Sequence, residues 1–234
     1  MATTGGHTIK AFDDDLDRLR ALISEMGGLA EHNIRESMRC LVERDNEGAR
    51  RVVEDDRKLD ALEIETERRA VQLIALRAPM AGDLRDVVAA LKISSVVERI
   101  GDYAKNIAKR VPLLDEIGHV EPLSLMPEMA RIATEMVHDV LNAFVERDAA
   151  AALEVIERDK KVDDFYDSIF RTLLTHMMEN PQNIGQAAHL LFVAKNIERV
   201  GDHATNIAEM VYYAATGDYL GDRPKGEDLL ASPQ

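Results

Sequence analysis

Two stretches of this chain place the same acidic and amide side chains at helical spacing, a hundred residues apart. Each stretch carries a Glu, an Asp and an Asn at positions i, i+4 and i+8: Glu98, Asp102 and Asn106 in the first, and Glu198, Asp202 and Asn206 in the second. On an α-helix, residues with this spacing form one stripe. Carboxylates four residues apart repel each other by roughly 0.2–0.5 kcal/mol. Because the chain keeps this repulsion twice, we expect the stripes to have a function.

A pair of aspartates four residues apart lies on the predicted helix that precedes each stripe. The pairs are Asp56 and Asp60 in the first copy, and Asp159 and Asp163 in the second. Both pairs lie at the edge of an apolar helix face, where neighbouring helices meet, so each could converge on the next stripe. Four carboxylates and an amide oxygen would form an oxygen-only site for Mg²⁺, Mn²⁺, Ca²⁺ or Fe³⁺. A solvated acidic helix face is the alternative that the spacing leaves open.

Two arginines and two glycines accompany the stripes. Arg99 and Arg199 lie beside them, and each could pair with a carboxylate across a helix boundary. Gly101 and Gly201 fall in the middle of predicted helices, where glycine costs about 1 kcal/mol relative to alanine. A missing side chain at these positions would let a neighbouring backbone or a metal cluster come close.

The two copies differ in the positive charge that accompanies their carboxylates. Three pairs of equivalent positions differ in charge: Lys105 and Thr205, Lys109 and Glu209, and Ile64 and Asp167. The lysines of the first copy can neutralise its stripe without a metal, whereas the second copy keeps more uncompensated negative charge. Since a bound cation turns repulsion among carboxylates into attraction, we predict that the second site binds metal more tightly than the first.

Other reactive residues do not assemble into a recognisable catalytic motif. Glu135 and His138 form a Glu-x-x-His, but Arg35 takes the place of the histidine in the first copy, so the pair of motifs found in di-iron bundles is incomplete. The sequence contains no phosphate-binding loop and no nucleophile motif. Cys40 is the single cysteine, so an internal disulfide is impossible and an inert thiol is expected. The sequence therefore gives no support for catalysis.

Composition and charge restrict the partners. The 234 residues carry a net charge of −14, which argues against nucleic acid and against adhesion to an anionic membrane surface. No stretch approaches the roughly 20 apolar residues that span a bilayer, and residues 1–17 carry an acidic run rather than the apolar segment of a signal peptide. We therefore expect a reduced, cytoplasmic protein.

The elements that must position the carboxylates are helices. Apolar residues follow a period of 3.6 between proline-marked boundaries, with no alternating strand pattern. The predicted helices are roughly 8–44, 47–77, 82–111, 126–146, 149–178 and 184–215. The turns at 45–48 and 147–148 are short enough to force antiparallel neighbours, and Gly217 is expected to end the last helix.

An internal duplication explains the order of these six predicted helices. Residues 41–60 match residues 144–163 at half of their positions, and the two stripe motifs match at eight of eleven. We therefore predict an all-α fold of two tandem antiparallel three-helix bundles related by internal duplication. The first bundle spans 8–111 and the second 126–217; residues 112–124 link them, and 218–234 form a flexible C-terminal tail.

The repeated motif closely resembles the PhoU family of bacterial phosphate uptake regulators. The resemblance rests on Glu98-Arg-Ile-Gly-Asp-Tyr-Ala-Lys-Asn-Ile-Ala and Glu198-Arg-Val-Gly-Asp-His-Ala-Thr-Asn-Ile-Ala. It extends from Phe12 to Gly217 and includes the turn at 79–85 and the ending at 212–217. Duplicated three-helix bundles are the fold that it implies.

The resemblance also implies metal clusters on the bundle surfaces, with iron, zinc, magnesium or manganese as the associated metals. By motif match, the ligands are Asp56, Asp60, Glu98 and Asp102 in the first site, and Asp159, Asp163, Glu198 and Asp202 in the second. The match leaves Glu135 and His138 without a role.

The function implied by the resemblance is regulatory rather than enzymatic. A member of this family is expected to restrain the phosphate-starvation response when phosphate is plentiful. It would act as an adaptor between the ATPase subunit of the phosphate ABC transporter and a sensor histidine kinase. A homodimer that reaches the membrane only through its partners is expected. Two alternatives are a metal-dependent helical-bundle enzyme and a helical interaction protein whose acidic stripes are only solvated.

Overall fold

The computed structural model describes residues 4–114 and 121–220, with side chains over 12–114 and 123–220. Six α-helices make up most of this part of the chain. The helices are α1 (Thr4–Glu43), α2 (Asn46–Arg77), α3 (Gly82–Ala108), α4 (Met126–Glu146), α5 (Ala149–Glu179) and α6 (Ile184–Thr216). Short 3-10 turns occupy Val111–Leu114, Glu121–Ser124 and Pro181–Asn183. The predicted all-α fold is confirmed, and each helix end falls within about one helical turn of its predicted position. The predicted tail lies outside the described residues from 221 onward.

The same turn chemistry closes the first helical hairpin of each repeat. Arg44 and Arg147 adopt left-handed backbone conformations, with φ of 58° and 57°. Each is followed by an aspartate that caps the next helix, since Asp45 accepts a hydrogen bond from the Gly48 amide at 2.8 Å, and Asp148 accepts two from the start of α5. Such caps satisfy amide groups that the first turn of a helix leaves unpaired. The predicted antiparallel hairpins are confirmed.

The bundles pack against each other through their first and third helices. Besides the contacts within each bundle, α1 packs on α4 and α3 packs on α6, while α2 and α5 lie outside. The core between them is aliphatic, as the scarcity of aromatic residues predicts. A side chain at Gly27 of α1 would place its Cβ 2.3 Å from Leu141 Cδ1 of α4, so this glycine allows the close approach of the two helices.

A buried carboxylate ties the repeats together. Asp86 near the start of α3 has a side chain that is only 3% exposed. It forms ion pairs with Arg20 of α1 at 3.2 Å and with Arg147, in the turn between α4 and α5, at 3.3 Å. Burial raises the pKa of Asp86, and the two arginines oppose that rise. The C-terminal end of α6 lies near this cluster, and Gly217 terminates the helix there with φ of 85°, which confirms the predicted stop.

Candidate metal sites between paired helices

Glycines bring each aspartate-bearing helix against its carboxylate stripe. A Cβ on Gly101 would lie 2.2 Å from Leu59 Cδ2 of α2, and one on Gly201 would lie 2.8 Å from Asp159 Oδ1 of α5. Real Cβ atoms do not approach other atoms so closely, so the glycines let α2 lie against α3 and α5 against α6. The predicted close approach is found at both positions, but side chains of the neighbouring helix make it rather than a backbone, and the predicted metal cluster stays a prediction.

We call the four predicted carboxylates of each repeat a carboxylate set. A lysine joins the two halves of the first set, which consists of Asp56, Asp60, Glu98 and Asp102. Lys105 Nζ donates a hydrogen bond to Asp56 Oδ2 of α2 at 2.5 Å and another to Asp102 Oδ1 of α3. Asp56 is 4% exposed, while the side chain of Asp102 is 40% exposed. Carboxylates of the two helices therefore converge on one cation, here an ammonium group of the chain itself.

Glu98 shows how closely the acidic groups of the first set are gathered. Burial raises the pKa of Glu98 to about 7, and the negative charges of Asp102, Glu63, Asp60 and Asp56 add to the rise. Glu63, one turn beyond Asp60, was not among the predicted residues, and its signal in the sequence is the i, i+3 spacing from that aspartate. The Glu98 carboxyl is therefore harder to ionise than an exposed glutamate.

The second set gathers its carboxylates in the same way. Partial burial raises the pKa of Asp163, and Asp202 of α6 and Asp167 raise it further. Burial also raises the pKa of Glu198, while Lys195 opposes the rise. Asp159 lies against Gly201, as described above. The four predicted positions of this repeat thus come from two adjacent helices and face one another across their contact.

Each set has one lysine, but the two lysines occupy different places. Lys195 Nζ lies 2.6 Å from Glu198 Oε1 and was not predicted, whereas Lys105 bridges aspartates of both helices, as expected of a neutralising residue. Lys109, expected to share that role, is exposed at the C-cap of α3 and forms no ion pair with any described residue. It lies beyond the last helical residue, so it does not continue the stripe.

The chemistry of both sets fits a hard cation. Carboxylate oxygen atoms are the ligands that Mg²⁺, Mn²⁺ and Fe³⁺ prefer, and neighbouring carboxylates that raise one another's pKa would be stabilised by a divalent charge. Over residues 12–114 and 123–220, however, no three His, Cys, Asp or Glu side chains are already arranged to enclose an ion. The assignment of these eight carboxylates as metal ligands therefore stays a prediction.

Residues that the motif left without a role have structural partners. Glu135 forms an ion pair with Arg131 one turn away on α4. His138 Nδ1 lies 3.0 Å from Glu31 Oε1 of α1, so this histidine links the two repeats. Burial raises the pKa of the Cys40 thiol, as expected of an unreactive cysteine.

A groove of 440 Å³ lies between α1 and α4, away from both carboxylate sets. Its apolar wall includes Ile34, Met38, Val42 and Ala130, and none of the eight predicted ligands lines it. Within the described residues, none of the helices is both long and apolar enough to cross a membrane.

Comparisons with known proteins give the context for this geometry. The family model described as "PhoU domain" matches residues 23–111 and 126–211, one match in each repeat. The chain is 55% identical over 227 residues to a Zymomonas mobilis protein named "Phosphate-specific transport system accessory protein PhoU homolog", covering 97% of this chain and 96% of that protein.

Two solved structures have the same fold. The crystal structure of PhoU from Pseudomonas aeruginosa superposes with a TM-score of 0.84 at 34% identity, covering 88% of this chain and 100% of that one. The phosphate transport system regulatory protein PhoU from Streptococcus pneumoniae gives a TM-score of 0.83 at 26% identity, covering 89% and 99%.

Proposed function

Since this chain belongs to the PhoU family, we propose that it regulates phosphate uptake and restrains the phosphate-starvation response when phosphate is plentiful. The observation that carries this proposal is the near full-length similarity to an accessory protein of a phosphate-specific transport system. The chain is not an enzyme, as predicted, because the proteins that it matches over nearly their whole length are named for accessory and regulatory roles.

The proposed mode of action is that of an adaptor. Its partners would be the ATPase subunit of the phosphate ABC transporter and the sensor histidine kinase of the phosphate response, which it would meet as a cytoplasmic homodimer. The net charge of −14 supports protein partners over nucleic acid or anionic lipid. Reaching the membrane would then depend on the partners.

The two carboxylate sets would hold the metal ions of this adaptor. In the first, Asp56 and Asp60 of α2 face Glu98 and Asp102 of α3. Asp159, Asp163, Glu198 and Asp202 would form the second. A bound iron, magnesium, manganese or zinc ion would fix the outer helix of each bundle against the inner one by adding a charge-neutralising link. The convergence of carboxylates from two helices supports this role.

A metal-dependent enzyme, the alternative function, gains no support. Such an enzyme needs an open metal position beside a group that transfers protons. The groove between α1 and α4 is lined by none of the predicted ligands.

Deletion of the gene tests the regulatory role. Reporter genes of the phosphate-starvation response should stay active in phosphate-rich medium in the deletion strain, and a plasmid copy of the gene should restore repression. Reporters that remain repressed in the deletion strain would count against the proposal.

A further inference from the structure

The contact between α3 and α6 carries a cluster of basic and polar side chains that the carboxylate sets do not use. We call Arg99, Tyr103, Arg199 and His203 the α3–α6 seam. Tyr103 Oη lies 3.3 Å from His203 Nε2, and their rings meet edge to face with centroids 5.2 Å apart. Arg199 Cζ lies 5.9 Å from the centre of the Tyr103 ring. Residues from both repeats therefore meet at this seam.

Both arginines lie near His203. The two seam residues of each helix are four positions apart and therefore lie on one face. Arg99 and Tyr103 share a face of α3, and Arg199 and His203 share a face of α6. Both guanidinium groups lie within electrostatic reach of the His203 ring, as does the carboxylate of the adjacent Asp202. The carboxylate stripes begin one residue earlier, about 100° away around each helix, and face α2 and α5 instead.

In the part of the chain that the structure describes, neither seam arginine uses its charge in an ion pair, although several other arginines of this acidic chain do. Arg68 pairs with Glu65 and Arg131 with Glu128, each over three residues of helix. Asp102 and Asp202 stand three residues after Arg99 and Arg199, yet neither seam arginine forms an ion pair with any residue that the structure describes. His203 Nδ1 is also buried without a hydrogen-bond partner within the described residues. The seam thus offers exposed cationic donors beside unused hydrogen-bonding capacity.

We propose that the α3–α6 seam binds inorganic phosphate between Arg99 and Arg199, with the Tyr103 hydroxyl as a further donor. Guanidinium groups recognise phosphate through paired, charge-assisted hydrogen bonds. Two of them from opposite helices would neutralise a dianion that a single one would not. The choice of phosphate over other oxyanions rests on the proposed function, whereas the existence of an anion site rests on the arginines.

Occupation of the seam would join the two repeats. One guanidinium belongs to each, so a bound phosphate would link α3 to α6 between the two carboxylate sets. Phosphate binding at this position would let a regulator of phosphate uptake respond to phosphate directly, through the contact between its two repeats.

Titration calorimetry with sodium phosphate at constant ionic strength tests this site. The protein is used as purified, with its metal content measured in every sample, because bound metal can also hold phosphate. Wild-type protein should bind one phosphate per chain. Arg99→Gln and Arg199→Gln should each weaken binding about tenfold or more, as expected for loss of a charge-assisted hydrogen bond, without changing metal content. Acetate should bind much more weakly than phosphate.

A matched control removes the same charge elsewhere. Arg50 and Arg171 are exposed and form no ion pair with described residues, so the Arg50→Gln/Arg171→Gln protein should bind phosphate like wild type. The inference is overturned if wild-type protein shows no binding up to about 10 mM phosphate, if acetate competes equally, or if the Arg99→Gln/Arg199→Gln protein binds like the control. Any of these results would remove the seam site, while the deletion phenotype would still decide the proposed function.

Discussion

At the scale of single residues, the position of one lysine decides how much negative charge each carboxylate set retains. The sequence predicted Lys105 because it lies within the repeated stripe motif, where the second copy has Thr205. It did not predict Lys195, whose counterpart in the first copy is Ser95 and which lies outside the repeated motif. Lys105 contacts an aspartate of each helix, whereas Lys195 contacts Glu198. Lys195 thus neutralises its set chiefly through Glu198, and it also opposes the rise in the pKa of Asp163 on α5.

This difference predicts unequal metal affinities. We expect the second set to bind Mn²⁺ more tightly than the first, because a cation entering the first set must displace Lys105 from two aspartates. Lys105→Ala should then strengthen binding at the first set about fivefold, since ion pairs of this kind are worth about 1 kcal/mol. Calorimetric titration of chelator-treated protein measures both steps.

Two aspartate variants and one lysine control complete this test. Asp202→Ala should remove the tighter step and Asp102→Ala the weaker one. Lys92→Ala, which removes a charge from the same helix without breaking an ion pair of the described residues, should leave both steps unchanged. Loss of the tighter step in Asp102→Ala, with Asp202→Ala keeping it, would reverse the assignment.

At the scale of helices, apolar periodicity, prolines and short turns predicted the helices, while the contacts of each helix with its neighbours could be predicted only in part. The two short turns and the glycine stop predicted helix ends close to those observed, because such signals act locally, and the structure adds an aspartate cap in each turn. Mid-helix glycines predicted the close approach of a backbone or a metal cluster, whereas side chains of the neighbouring helix approach them. The structure places the buried Leu59 against Gly101, and a carboxylate of the second set against Gly201.

Substitution of helix glycines should have opposite effects at two sites. Gly101→Ala should lower the free energy of unfolding by about 1 kcal/mol, because overpacking against Leu59 costs about 1–3 kcal/mol and outweighs the helical gain of about 1 kcal/mol. Gly28→Ala is the matched control, since nothing lies within 4 Å of a Cβ at this position. It should stabilise the protein by up to about 1 kcal/mol. Urea denaturation followed by circular dichroism measures both, and equal shifts in the two variants would show that Leu59 is not a steric limit.

At the scale of the whole molecule, the duplication predicted two bundles but not how they share a core. At the α3–α6 seam, equivalent positions such as Tyr103 and His203 meet, but the buried ion pairs that join the bundles have no counterpart among the described residues of the other repeat. Asp86 pairs with Arg20 and Arg147, and its counterpart in the second repeat is Gln186. No periodic pattern marks such a residue, so sequence reasoning could not find it.

Removing this carboxylate should weaken the junction between the repeats. Asp86→Ala should lower the free energy of unfolding by roughly 2–4 kcal/mol, since it leaves two partly buried arginines without their shared partner. Asp83→Ala, at an exposed position one turn earlier on α3, should cost less than about 1 kcal/mol. Thermal and urea unfolding compare the two variants, and equal losses would mean that the Asp86 ion pairs contribute nothing to stability.

The most direct measurement is reporter expression from a phosphate-starvation promoter in phosphate-rich medium, in a deletion strain carrying either the wild-type gene or the Glu98→Gln/Glu198→Gln variant. Both substitutions preserve side-chain size and remove one carboxylate from each set. At equal protein levels, the wild-type gene should restore repression and the variant should leave the reporter active. Failure of the wild-type gene to repress would contradict the regulatory role, and full repression by the variant would contradict the role of the carboxylate sets in it.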